Sequence, residues 1–289
     1  MKNYIALWNF FRIYHKAIIH AFKFADKHKL IRGYKYNKWH CLRAKKYGIK
    51  IIKNSSDSEL EYLNKDKLLE LGKIIFLYHD IGRFIETGTE LNKIPHGVTS
   101  VKILHNVGII NPLITIPILH HSSDDPIIVQ NYIKTEKELV DQELNLDKSY
   151  TTLSKEDKKY ARILTYIIRD VDLLASHKKP FNKIKYFIGT IARNNHSNVS
   201  LQFATPNQSV IQALKRHKPA NPKDVKNMVD LELLFVSRYF ALIFNTSRKI
   251  YKERKFHIKI FNSINTKINK TWEMDNIQKD FNQGIEQPI

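Results

Sequence analysis

The feature that most restricts the fold is one apolar run, Ile74-Ile75-Phe76-Leu77-Tyr78, which ends in an adjacent His79 and Asp80 and continues as Ile81-Gly82-Arg83. A helix apolar enough to be buried takes its last two side chains in with it. A buried imidazole and carboxylate must then be paired or coordinated to offset their desolvation. Imidazole nitrogen beside carboxylate oxygen suits Fe, Mn, Zn or Ni, and Gly82 permits a turn that lets both groups face one way. As a plain helix end the pair fits less well, because a helix C-terminus favours a cation and disfavours Asp.

The remainder of the 289 residues predicts an all-α protein. Only nine Gly and nine Pro are present, and the apolar residues fall in long helical patterns without the short alternating runs of an all-β chain. With 43% hydrophobic residues, the length suffices for one large domain or two small ones. The single cysteine, Cys41, excludes an internal disulfide and a thiolate zinc site, so metal binding falls to His and carboxylates, and a reducing cytoplasmic location is expected. The run Met1–Phe11 is too short to span a bilayer and lacks a small-residue cleavage signal, so no membrane association is expected. A net charge of +20 and a pI near 9.7 attract nucleic acid, nucleotides or anionic surfaces. Lysine makes up 37 of the 48 basic residues and forms no dense block, which reads as a solvated lysine surface.

In chain order, residues 1–30 read as one or two amphipathic helices in which His15, His20 and His28 are surface or packing residues. A helix is expected over Lys38–Lys53 with Asn37 as its N-cap, and His40, Ala44, Tyr47 and Ile51 on its inward face. After an Asn54–Asp57 loop, a helix over Asp66–Tyr78 delivers His79 and Asp80. A loop with Thr87-Gly88-Thr89 precedes a helix opened by Pro95-His96-Gly97 and closed at Gly108, on which His96, Ser100, Ile103 and Val107 share a face. A short segment from Asn111 and Pro112 ends in His120-His121. Adjacent helical side chains diverge by about 100°, so one of the two enters a site while the other lines its rim. The stretch Glu136–Lys155 reads as a charged surface excursion. From Ser154 a capped helix carries Ile163, Leu164, Ile167, Ile168, Val171 and Leu174 inward, with Asp170 and Asp172 on opposite shoulders of the stripe. Periodicity does not choose between those two. Further helices are expected near Phe181–Ala192 and, as one long element, over Asp224–Tyr251; this half is assigned to packing, to covering a site or to a subunit interface.

Taken together, His40, His79-Asp80, His96, His120-His121 and Asp172 form a pattern that resembles the HD-domain superfamily of metal-dependent phosphohydrolases, with its early His, His-Asp doublet, further His residues and late Asp. The local words agree: Trp39-His40-Cys41-Leu42-Arg43, Tyr78-His79-Asp80-Ile81-Gly82-Arg83, His96-Gly97-Val98 and Arg169-Asp170-Val171-Asp172-Leu173-Leu174. The resemblance covers roughly residues 35–178. It implies an HD-domain helical bundle over 35–180, preceded by a helical segment over 1–34 and followed by a C-terminal helical extension over 181–289 packed on the same core. It also implies metal ligation by His40, His79, Asp80 and Asp172, with Asp172 matching the family's late Asp. His96, His120 and His121 then hold a second metal or contact substrate, Asp80 bridges, and Asp170 orients a ligand. Asp80 and Arg83 become catalytic, Arg83 as a phosphate contact. The implied cofactors are two divalent ions drawn from Mn, Fe, Mg or Zn.

The implied activity is hydrolysis of a phosphoester, in a nucleotide or another small phosphorylated molecule. A nuclease using the same residues, or a non-catalytic metal-binding regulatory protein, are the alternatives. Ser122-Ser123-Asp124-Asp125-Pro126 stands where the cyclic-di-GMP phosphodiesterases carry Gly-Tyr-Pro, and Tyr36 stands where a third-metal Glu is expected. Both departures argue against cyclic-di-GMP as the substrate.

Overall fold

The computed structural model describes residues 34–84, 96–122, 135–176, 200, 202–268 and 272–286; among them there is no strand, only α-helices and short 3₁₀ turns. The expectations placed on residues 1–30, Thr87–Thr89, Ser123–Pro126 and Phe181–Ala192 lie outside the described residues. No helix among those described is long and apolar enough to cross a membrane. The chain divides into two compact units, Met1–Asp124 with Val140–Ala175 and Asp125–Leu139 with Ser176–Ile289.

In the first unit, α1 (Tyr34–Asn54) packs on α2 (Lys65–Tyr78). Helix α1 starts earlier than its sequence suggests, so Asn37 lies within its first turn and is not its cap; after Gly33 no Gly or Pro interrupts helical geometry until Gly48. Asn64 caps α2, its side chain accepting from the N–H groups of Asp66 and Lys67 at 2.9 and 3.0 Å. The two helices close tightly around one ring. A Cβ at Gly48 would fall 2.2 Å from Phe76, and one at Gly72 would fall 2.7 Å from it, so both glycines leave the room that Phe76 fills.

Helix α3 (His96–Asn106) ends at Gly108, whose φ of +85° is costly for any residue with a Cβ. Helix α4 (Pro112–Leu119) is capped by Asn111 and is buried at every position from Leu113 to Ile118. The charged stretch that follows is not an excursion. It forms α5 (Glu136–Leu146) and α6 (Lys148–Thr151), with Val140, Leu144 and Tyr150 buried. The apolar stripe is only a few residues wide, and the many charges on the solvent side hide it from a composition-based reading. Helix α7 (Lys155–Ser176) buries all of the predicted stripe from Ile163 to Leu174. It is bound laterally by Arg162 to Glu61 at 2.7 and 2.6 Å, by the Tyr160 hydroxyl accepting from the N–H of Asn64 at 3.2 Å, and by the Tyr166 hydroxyl donating to Asp141.

The second unit holds α8 (Gln208–Lys215), α9 (Met228–Ser237), α10 (Asn245–Glu253), α11 (Phe256–Asn265) and α12 (Trp272–Glu286). Every residue of α9 is buried, and the helix packs on α8 and α11. Its N-terminus is a capping box between Asn227 and Asp230. The fully buried Phe281 ring meets Tyr239, Phe240, His257 and Phe261 with centroids 5.3 to 6.1 Å apart.

The single long helix expected over Asp224–Tyr251 is broken. Helix α9 stops at Ser237, whose hydroxyl donates to the Leu234 carbonyl and accepts from the N–H of Ala220, each at 2.8 Å. A 3₁₀ turn over Arg238–Ala241 and extended backbone at Leu242 and Phe244 follow before α10 begins. An unbroken apolar composition concealed the break, since residues on both sides of it are buried.

Glu232, at 1% exposure, is the costly residue of this core. Burial pushes its carboxyl up to about 7, against smaller opposing effects of Lys267 and Ser263. Below the ordinary carboxylate range the group is protonated in both folded and unfolded chains. As pH rises from about 4.5 to 7 only the unfolded chain ionises, so stability falls across that window and stays low above it. Glu232→Gln is expected to remove this slope and to raise stability at pH 8 by up to about 3 kcal/mol, as read by denaturant unfolding at pH 5 and pH 8. An unchanged pH dependence in the variant would refute the assignment.

Candidate metal centre

The centre is built where α2 runs out. The N–H of His79 still bonds to the Ile75 carbonyl at 2.9 Å, and the backbone then tightens into a 3₁₀ turn over Ile81–Phe84. Ser100 of α3 holds that turn: its hydroxyl donates to the His79 carbonyl at 2.7 Å and accepts from the N–H of Gly82 at 2.9 Å. Sequence reading placed Ser100 on one face of its helix with His96 but gave no sign of this clamp. Gly82 serves the turn through its size. A Cβ there would lie 2.4 Å from the His96 carbonyl and 2.7 Å from the Ser100 nitrogen, so its absence is what lets α3 approach.

Three helices and the segments just beyond two others bring six side chains together. His40 comes from α1, His79 and Asp80 from the end of α2, His96 from the first position of α3, His121 from just beyond α4, and Asp172 from α7. They fall into two groups, His40, His79, Asp80 and Asp172 in one and Asp80, His96 and His121 in the other. Within each, the potential ligand atoms lie within 4.8 Å of one another. In the first group His40 Nε2 is 3.0 Å from Asp172 Oδ1, 3.5 Å from Asp80 Oδ2 and 3.1 Å from His79 Nε2. In the second, Asp80 Oδ1 lies 3.3 Å from His96 Nε2 and 3.4 Å from His121 Nε2, and these two nitrogens are 2.7 Å apart. The two oxygens of Asp80 are thus divided between the groups.

The hydrogen bonds behind the rings fix which nitrogen faces inward. His79 Nδ1 lies 3.1 Å from the Phe76 carbonyl and His121 Nδ1 lies 2.6 Å from the Ile118 carbonyl. A carbonyl only accepts, so each Nδ1 carries a proton and each Nε2 faces the centre. For His79, burial acts downward but the hydrogen bond to Asp172 and the charges of Asp80 and Asp172 outweigh it and raise its pKa. Burial, followed by the neighbouring His96, holds the His121 pKa down at about 4, and burial likewise lowers His40. For Asp172, burial acts upward but hydrogen bonds to His40 and His79 outweigh it, holding the carboxyl well below its usual range. Imidazole nitrogens and carboxylate oxygens that converge in a buried space are a donor set that could hold metal ions. Asp172, with a side chain 26% exposed against at most 2% for the others, is the member that meets solvent.

The remaining expected residues divide. His120 does not join the centre: its Nε2 bonds to Asp147 Oδ2 at 2.8 Å, and its Nδ1 lies 3.7 Å from Glu143. Helix α4 ends at Leu119 with His120 as its C-cap, and the roughly 100° between adjacent side chains sends His121 inward and His120 towards α5 and α6. Asp170 is fully buried but is not among the converging atoms, whereas Asp172 is. Arg83 lies in the 3₁₀ turn, and its side chain is outside the described residues. Glu143, Asp147 and Arg169, which surround His120, were missed by sequence reading because two of them lie in the charged stretch taken for a surface excursion. Their only sequence signal is the i, i+4 spacing of Glu143 and Asp147 on the face that follows Val140 and Leu144.

No protein-family model matches the chain, nor does any curated protein or solved structure.

Because Gly82 is hemmed in by backbone atoms of α3, Gly82→Ala is expected to push that helix away and cost about 1–3 kcal/mol of stability. The same displacement moves His96, so the variant should hold less metal than the parent chain after identical loading. Denaturant unfolding and elemental analysis measure the two effects; unaltered values in both would show that the approach of α3 is not limiting.

Proposed function

We propose that this chain is a metal-dependent phosphohydrolase of the HD-domain type, acting on a small phosphorylated molecule such as a nucleotide. The observation that carries the reading is Asp80, with one oxygen turned to each of two ligand groups. A carboxylate so divided is suited to bridging two cations, and the order of the six residues along the chain resembles the HD-domain pattern.

Four imidazoles and two carboxylates favour Mn, Fe or Zn over Mg, which prefers an all-oxygen shell and retains its waters. Divalent ions held there would supply a nucleophile from water near neutral pH and offset charge on the phosphoryl oxygens. The chain's own contribution is to hold the imidazoles oriented, to keep Asp172 ionised at the solvent-facing side, and to exclude bulk water from the other five side chains. In the hydrolysis a water oxygen bonds to phosphorus, the bond from phosphorus to the leaving oxygen breaks, and that oxygen leaves with a proton.

Protein purified without chelator is expected to contain two metal equivalents and to release phosphate or a nucleoside product from a panel of nucleotides and phosphomonoesters with Mn or Fe present. Asp80→Ala should lose both metals and reduce turnover by more than about a hundredfold, the scale of removing a group that stabilises developing charge. Turnover that survives Asp80→Ala or exhaustive chelation would sink the proposal. The net charge of +20 favours nucleic acid as the second reading. Single- and double-stranded DNA and RNA in the same assay, resolved on a gel, separate a nuclease from an enzyme of small substrates.

A further inference from the structure

The tandem histidines pose a positional problem. His121 supplies a buried Nε2 to the second ligand group, yet it lies past the last residue of α4, where helical hydrogen bonds no longer fix the backbone. The N–H of His120 still reaches the Ile116 carbonyl at 3.1 Å, but the His120 carbonyl has no place in the helix ladder. Arg169 takes it. This arginine, 4% exposed, donates from Nε to the His120 carbonyl at 2.8 Å and from Nη2 to Glu143 on α5. The peptide so held is the one that joins His120 to His121.

Two further features bear on this arrangement. The His120 ring is bound to Asp147, which at the same time caps α6 by accepting from the N–H groups of Ser149 and Tyr150 at 2.7 and 3.3 Å. Arg169 also lies three residues before Asp172 on α7, so the two side chains leave neighbouring positions on one helix. One thus reaches the first ligand group and the other the backbone that presents the second. A guanidinium is suited to this task because its planar fork serves two acceptors in fixed directions, which a lysine ammonium does not do.

We infer that Arg169, oriented by Glu143, is a positioning residue for His121 and thereby for the second metal alone. The inference rests on the binuclear reading above. It requires that Arg169 act on one ligand group and leave the other unchanged, a selectivity that general loosening of the fold does not produce.

The test is a titration of metal-free full-length protein with Mn, followed by calorimetry and by mass spectrometry under native conditions. The parent chain is expected to bind two equivalents. Arg169→Lys and Arg169→Gln should weaken the second equivalent by about 10–100-fold, the range found when groups behind metal ligands are removed, with the first within about twofold of the parent. Glu143→Gln keeps Arg169 and its bond to the His120 carbonyl, and provides a milder variant should the arginine substitutions fold poorly; it is expected to shift the second equivalent alone, by less. Two equivalents with parental affinity in the variants, or equal weakening of both, would overturn the role of Arg169 while leaving the binuclear reading intact. A single equivalent in the parent chain would overturn both.

Discussion

The first unit is organised around a single carboxylate, Asp80, buried to 1% exposure with its two oxygens facing different sets of imidazoles. A carboxylate at that depth is tolerable only among groups that satisfy it. Much of the surrounding architecture is a consequence. The end of α2 must deliver Asp80 beside His79, the 3₁₀ turn after it must be held by Ser100, and α3 must come close enough over Gly82 for His96 to reach in. Helices α1, α4 and α7 then close the remaining directions with His40, His121 and Asp172.

The ligand groups differ in how their members are held. His79 is fixed by hydrogen bonding inside its own helix, through Nδ1 to the Phe76 carbonyl one turn back. Asp172 lies on a long helix sewn to its neighbours by Arg162, Tyr160 and Tyr166. His121 is held in the same way as His79, through Nδ1 to the Ile118 carbonyl, and in addition from outside its helix by Arg169 on the carbonyl of the preceding residue. Arg43 on α1 adds another cross-tie, donating from Nε to the Ala175 carbonyl at 3.0 Å, one turn beyond His40 on its own helix and one turn beyond Asp172 on α7. Rigid elements therefore supply the first group, whereas an arginine-stabilised backbone supplies the last member of the second. Sites supported in this way from behind keep their geometry before any ion arrives.

The second unit obeys a different economy. Its core gathers aromatic rings about Phe281 and surrounds α9 on every side, and the polar groups there serve mainly to end helices. Asp230 accepts from the N–H groups of Asn207, Lys226 and Asn227 at 2.6, 2.9 and 3.2 Å, tying the segments that lead into α8 and α9 to one carboxylate. Glu232, two residues on, lacks such support, which is why its burial is expensive.

The sequence by itself determined the helical class, the inward stripe of α7 and the set of histidines and aspartates available for the centre, because each of these depends on periodicity and residue type over one or two turns. It even announced, through the adjacency of His120 and His121, that only one of them could enter. What it left open were choices settled by residues far apart in the chain. His120 turns away because Asp147 and Glu143 receive it, and those carboxylates lie in a stretch whose charges mask its helical face. Asp172 meets His40 and His79 because α7 lies across α1 and the end of α2, an orientation no periodicity encodes. The break between α9 and α10 follows from Ser237 bonding the N–H of Ala220, seventeen positions earlier. A local pattern states which face of an element is apolar; which partner that face meets, and hence where a side chain one residue beyond the helix points, is decided only when the helices pack.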